Sequence, residues 1–159
     1  GSNLFNIIDF DGIDFTKYLF EHAWFINTYK EDVLAINFSA GLLQYPASQQ
    51  LFEQDKFMIG GAYSLRGYPD AYADYANAII GNKKVLFNIE YRIMFNDWLQ
   101  GALFVDWGTA TDGDPDMSDF KLGQGAGLRI FTPLAPLRFD FAIGSDNQFL
   151  LHFGLGQLF

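Results

Sequence analysis

The chain reads as an all-β protein, an antiparallel transmembrane β-barrel segment of about eight strands. Three observations lead there. Apolar residues alternate with small or polar ones, period two, over stretches of roughly ten residues, the length a tilted strand needs to cross a bilayer. The connections between these stretches are short in some places and long in others. Residues 149–159 keep the alternation to the end and stop on Phe159, where a soluble domain would carry a frayed, polar terminus.

The totals agree with this class. A length of 159 residues bounds the chain to at most one domain. The net charge of −9, from 19 acidic and 10 basic residues, leaves no basic stripe for nucleic acid, so no nucleic-acid partner is expected. A barrel tolerates that charge because it keeps its ionised groups in loops and lumen. There is no cysteine, which excludes disulfides, thiolate chemistry and zinc–thiolate sites. Aromatics make up 18% of the chain beside 16 glycines, with a mean hydropathy near zero. Alternation dilutes apolar residues in just this way. No apolar run approaches the roughly 20 residues of a spanning helix. Gly1-Ser2 reads as a cloning scar and no signal peptide is visible, so residues 3–159 are taken as the barrel segment, excised or mature.

Taken in order, residues 3–10 form a weakly patterned first strand. In 18–28, Tyr18, Phe20, Trp24 and Ile26 point outward, with Lys17 and Glu21 inward; His22 falls on the outer face, which loosens the register. In 34–42, Leu34, Ile36, Phe38, Ala40 and Leu42 oppose Asn37, Ser39 and Gly41. In 84–95, Val85, Phe87, Ile89, Tyr91, Ile93 and Phe95 oppose Asn88, Glu90 and Arg92. In 99–109, Leu103, Val105 and Trp107 oppose Ala102, Phe104, Asp106 and Gly108. Segment 121–132 sets Leu128 and Ile130 against Gly123, Gly125, Gly127 and Arg129, and 137–144 sets Leu137, Phe139, Phe141 and Ile143 against Arg138, Asp140 and Ala142. The last strand sets Phe149, Leu151, Phe153 and Leu155 against Leu150, His152, Gly154 and Gly156, with Phe159 expected at the headgroups.

Residues 29–32, 96–98 and 132–136 are short turns; 111–120 is a longer acidic loop and 45–82 a very long one. Counting back from a periplasmic Phe159 puts every short turn on the periplasmic side, the outer-membrane pattern. Soluble sandwiches and ligand-binding barrels also alternate, but they pack the apolar face inward on a second apolar layer. Here the opposite face carries Gly with scattered Arg, Asp and Glu, which suits a wet or loop-filled lumen.

A connection as long as 45–82 is usually functional. Gly60 and Gly61 permit positive φ or close backbone approach. Arg66 precedes Gly67, which leaves its guanidinium unobstructed, and arginine suits a fixed bidentate carboxylate contact. Glu90 and Asp106, on the lumen face by alternation, are candidate partners. Spacing alone leaves two readings open: a docked arginine, or a solvated loop arginine above carboxylates that merely wet the lumen.

Gly60-Gly61 followed by Ser64-Leu65-Arg66-Gly67-Tyr68 resembles the hallmark loop of the outer-membrane assembly-factor superfamily, also called the bacterial surface antigen family. Its members include BamA, TamA, the two-partner-secretion transporters and the chloroplast import channel. Further matches follow in order: Glu90; the strand 104–108 with Asp106; 125–129, 132–133 and 136–140; and a terminal β-signal carried by Phe153, Leu155, Gly156, Gln157 and Phe159. The resemblance covers about residues 32–159. It implies a loop folded into the lumen as a lock, with Arg66, Gly67 and Tyr68 docked on Asp106 and Glu90. It also implies that the chain is the C-terminal half of a sixteen-strand barrel whose N-terminal half and any POTRA domains are absent.

The function so implied is insertion or translocation of proteins at the outer membrane of a Gram-negative-type bacterium or of an organelle derived from one. Expected partners are outer-membrane lipid, unfolded outer-membrane or secreted substrates, and either the missing barrel half or a second copy. The alternative is a membrane anchor and export pore for a fused passenger such as a patatin-like lipase. Enzymatic activity is not expected. His22 and His152 are the only histidines, no Ser–His–Asp arrangement is in view, and no metal-ligand spacing or cofactor motif occurs. Eight strands could close alone, but into a lumen too narrow for the long loop; pairing of two copies is the favoured alternative. Gly154 and Gly156 admit two readings, close packing in the lumen or a last strand able to kink and unzip.

Overall fold

The computed structural model describes residues 15–46, 52–145 and 147–159. Seven antiparallel strands build one curved wall: β1 (Thr16–Asn27), β2 (Val33–Gln44), β5 (Lys83–Asn96), β6 (Leu99–Thr111), β7 (Lys121–Ile130), β8 (Leu137–Gly144) and β9 (Phe149–Leu155). Two three-residue strands, β3 (Phe57–Ile59) and β4 (Ile79–Gly81), pair as a separate ribbon inside the long connection. Among the described residues no helix is long and apolar enough to cross a membrane. The strand read at residues 3–10 lies outside the described residues.

Each wall strand follows the alternation. Ala35, Ser39, Asn88, Glu90, Asp106, Arg129 and Asp140 are buried on the concave face, while Phe20, Ile89, Leu103, Leu128, Phe141 and Leu151 stand exposed on the convex one. Lys17 and Glu21 turn inward as the pattern requires: the Lys17 ammonium lies 4.5 Å from the Phe57 ring centre, and Glu21 accepts from the Ser39 hydroxyl at 3.0 Å. His22 lies outside against Trp24, ring centres 4.3 Å apart. On the outer face Phe20, Phe38, Phe87, Trp107 and Phe120 form a continuous aromatic row with centre separations of 6.1, 4.7, 5.8 and 4.0 Å. Cross-strand aromatic pairs of this kind stabilise a sheet, and aromatic girdles mark barrel interfaces with the headgroups.

That convex face carries a direct prediction. Ile89 sits mid-strand in β5 and is 46% exposed. Ile89→Arg is expected to destabilise the chain in lipid vesicles by about 2–4 kcal/mol, the cost of a cation near the bilayer midplane. Reversible urea unfolding in vesicles measures it; a change within about 0.5 kcal/mol, as at an ordinary wet surface, would place this face away from lipid.

Two features depart from the sequence reading. Segment 45–82 is not one irregular loop: it holds the β3–β4 ribbon and two 3-10 turns, Glu53–Asp55 and Tyr75–Asn77. Strands three residues long carry too little pattern to show a period. Also, the last strand stops at Leu155 and does not run on to Phe159. Gly156 adopts φ +80°, its N–H donates to the Pro136 carbonyl at 2.8 Å, and the tail turns inward. Phe159 then lies 5.4 Å from the Arg92 guanidinium and 6.3 Å from the Phe25 ring, on the lumen side and not in the headgroup girdle.

The wall is open. All six neighbouring pairs are antiparallel, so with seven strands β1 and β9 run in the same direction. An all-antiparallel closure therefore needs an odd number of further strands. The concave side is filled by the long connection. Ile59, Leu65 and Tyr68 pack on Leu86 and Ala110, with Ile79 alongside. This small apolar cluster seats the connection against β5 and β6.

Candidate functional site

Register decides which charges meet. Across the wall, Asn88 of β5 faces Asp106 of β6, and Asp106 faces Gly123 of β7. A second row runs from Arg92 through Ala102 and Gly127 to Asp140 and His152. Glu90 and Phe104 lie between these rows. The connection drops Arg66 onto this field, where its side chain has no exposure to solvent.

Arg66 grips Asp106 with a two-pronged fork. Its Nε donates to Asp106 Oδ2 at 2.7 Å and its Nη2 to Oδ1 at 2.9 Å, while its own backbone N–H donates to Oδ2 at 3.0 Å. Its Nη1 reaches Glu90 Oε2 at 2.7 Å and Asp140 Oδ2 at 3.4 Å. The guanidinium lies 3.5 Å from the centre of the Phe104 ring, close enough for a cation–π contact. Burial works against the charge of Arg66. The hydrogen bond to Asp106 and the charges of Asp106, Glu90 and Asp140 outweigh it and raise its pKa above the ordinary arginine value.

A second set of cations holds the carboxylates from below. Arg129 donates to Asp140 at 2.5 Å and to Glu90 at 3.1 Å; Arg92 donates to Glu90 at 2.8 Å; Arg138 lies 3.2 Å from Asp140. Asn88 donates to Asp106 at 2.9 Å and to the Ser64 carbonyl at 2.7 Å, tying wall to loop. Glu90 and Asp140 thus each have several cationic partners, and Asp106 has the Arg66 fork with Asn88 beside it, the condition under which buried ions are tolerable.

The backbone of the loop is pinned as well. The Gly67 N–H donates to His152 Nε2 at 3.0 Å, so that nitrogen carries no proton. Gly67 has φ +89°, and a Cβ there would press on the backbone of Ile143 and Gly144; only glycine suits the position. The Tyr68 hydroxyl takes the Ser145 N–H at 2.9 Å and reaches the Leu122 carbonyl at 3.3 Å. Gly60 and Gly61 have φ of +132° and +84°, and the Ser64 hydroxyl closes the turn on the Gly60 carbonyl at 2.7 Å. The loop therefore touches β5, β6, β7, β8 and β9 at once.

Of the residues singled out in the sequence, Arg66, Gly67, Tyr68, Gly60, Gly61, Glu90 and Asp106 meet in one place. Phe153 and Leu155 lie apart from them on the outer face of β9, and Gly156, Gln157 and Phe159 form the inward tail. Asp140, Arg129, Asn88 and Phe104 complete the site without having been singled out. Alternation put the first three and Phe104 on the lumen face, but only cross-strand register makes them neighbours. Gly154 lies under the Arg138 guanidinium, where a Cβ would come within 2.8 Å of Nη2. That contact fits the close-packing reading of Gly154.

A family model described as the Omp85 superfamily domain matches residues 4–159. The chain belongs to the Omp85 superfamily. Among curated relatives it is 34% identical over 112 residues to the chloroplastic outer envelope protein 39 of Arabidopsis thaliana, covering 64% of this chain and 30% of that protein. It is 30% identical over 113 residues to the chloroplastic outer envelope protein 80 of the same plant, covering 64% and 15%. Among solved structures it resembles BamA from Haemophilus ducreyi lacking POTRA domains 1–3, with a TM-score of 0.63, 16% identity, and coverage of 89% of this chain and 33% of that one. The Omp85 segment thus spans a third or less of the length of these proteins, and its open wall is part of a BamA-like barrel. Its place is the outer membrane of a bacterium or of an organelle derived from one.

Proposed function

We propose that this Omp85 segment belongs to an outer-membrane barrel that inserts or translocates other proteins, with the seated loop as the lock that keeps the wall in its working shape. The observation that carries the reading is the fully buried Arg66 fork on Asp106 and Glu90 within an Omp85 wall. A loop bonded to five strands gives the wall one preferred curvature. Among the described residues the wall ends on β9, whose outer edge suits an extended substrate by strand addition. The substrates are unfolded outer-membrane or secreted chains, and the surrounding medium is outer-membrane lipid.

The loop occupies the concave side, and this favours a wider barrel over a small closed one, because an eight-strand lumen holds little beyond its own side chains. The closing partner is an N-terminal barrel half or a second copy. Particle mass in detergent separates these.

The function is tested with the complete protein in liposomes, supplied with a urea-unfolded eight-strand outer-membrane barrel as client. Faster appearance of the heat-modifiable folded client than in empty liposomes is the expected result, with most of the acceleration lost in Arg66→Ala. No acceleration by the unaltered protein would overturn the reading.

A further inference from the structure

Tyr63 stands where the loop meets the outer edge of β9, the last strand of the sheet among the described residues. Leu155 faces Leu137 on β8, and the next pair along is closed by the Gly156 N–H on the Pro136 carbonyl at 2.8 Å. In an antiparallel ladder, bonded and non-bonded pairs alternate. The N–H and C=O of Leu155 therefore both point away from β8, toward the open edge. The Tyr63 hydroxyl meets both: the Leu155 N–H donates to it at 2.9 Å, and it donates to the Leu155 carbonyl at 3.3 Å. One phenol thus serves Leu155 as the amide and carbonyl of an added strand would.

A chain of contacts links Tyr63 to the lock. The Arg138 guanidinium lies 4.8 Å from the Tyr63 ring centre and donates to the neighbouring Ala62 carbonyl. Arg138 in turn sits 3.2 Å from Asp140, which faces Arg66 at 3.4 Å. Tyr63 is 57% exposed, so the side chain can swing out while giving up little packing besides the Arg138 contact.

We propose that Tyr63 is a displaceable cap on the edge of β9, so that an extended peptide adds to this edge at Leu155 only as the Tyr63 hydroxyl withdraws. The incoming partner is an extended strand of an unfolded polypeptide, held through its backbone N–H and C=O groups at Leu155. The identity of the natural strand rests on the assembly reading; the cap rests on the Leu155 geometry alone.

Two measurements on the full chain in detergent micelles test it. In Tyr63→Phe the ring stays and the hydroxyl goes. Hydrogen exchange at the Leu155 amide is expected to rise about three- to tenfold, as for loss of one or two hydrogen bonds, with the interior amides of β7 unchanged. The chain lacks cysteine, so Phe153→Cys gives a single reactive site on β9. A synthetic peptide with the sequence of residues 16–27 and one added cysteine is the strand probe. Its disulfide yield is expected to rise severalfold in the Tyr63→Phe background, and to do so again with Tyr63→Ala. Unchanged Leu155 exchange in both variants would overturn the cap. Faster exchange with unchanged peptide capture would also overturn it, because the contact would then not compete with strand addition. Failure of client folding in liposomes, with both cap results as expected, would sink the assembly reading alone.

Discussion

Arg66→Ala is expected to destabilise the chain by about 3–5 kcal/mol, the cost of leaving a buried charge without its partner. Two effects compete. The buried field holds Arg66, Arg92, Arg129 and Arg138 against Glu90, Asp106 and Asp140, so removing Arg66 improves the formal charge balance. Balance is not pairing, however. Glu90 keeps Arg92 and Arg129, and Asp140 keeps Arg129 and Arg138. Asp106 pairs with no other cation among the described residues and would retain only Asn88. Local loss therefore wins. Against a typical total of about 5–15 kcal/mol, it removes a large share of the stability. Urea unfolding in micelles, followed by tryptophan fluorescence, measures the change, and chymotrypsin sensitivity of the 52–82 segment, which carries Phe57, Tyr63, Tyr68, Tyr72 and Tyr75, should rise with it. Asp106→Ala should act in the same direction, and Arg66→Ala with Asp106→Ala should cost much less than the sum. A loss below about 1 kcal/mol for Arg66→Ala would mean the ion pair is worth no more than one on the surface.

Gly123→Val is expected to unseat the loop while every charge remains. A Cβ on Gly123 would collide with the Arg66 carbonyl, and that backbone cannot retreat easily. It is held on one side by the Arg66 N–H on Asp106 and on the other by the Gly67 N–H on His152. At an unencumbered strand position the same substitution should be favourable, because valine suits strands and glycine weakens them. Here the steric term dominates, and a loss of about 1–3 kcal/mol is expected, as for overpacking elsewhere. Gly113→Ala is the matched control, since a Cβ there meets nothing within 4 Å. The same unfolding assay compares them. A Gly123→Val chain as stable as the parent would show that the loop does not press on β7.

The wall was legible because alternation is a local property. Each strand buries one face against the loop and offers the other to lipid, so Phe87 and Asn88, or Asp106 and Trp107, declare their sides without any tertiary knowledge. Arg66, Glu90 and Asp106 were legible by the same rule joined to the glycine-rich loop pattern. Asp140, Arg129 and Asn88 were harder. Their side was plain, but their neighbours depend on register across three further pairings, which periodicity does not set. The β3–β4 ribbon was hidden for a different reason: it is held by Ile59, Leu65 and Leu86 packing together, a contact between distant residues. Phe159 misled because an apolar end after an alternating strand suggests more strand. The positive φ of Gly156 ends it instead, and Arg92 draws the ring inward.

The central claim is that the loop sits inside the barrel wall and is held there by Arg66. Leu65, next to that arginine, is fully buried, and the chain offers no other cysteine to confuse labelling. A Leu65→Cys chain, folded in micelles, should react with a bulky maleimide far more slowly than the same chain in urea, and Arg66→Ala should abolish the protection. Equal labelling rates in the folded and urea-unfolded Leu65→Cys chain would contradict the account.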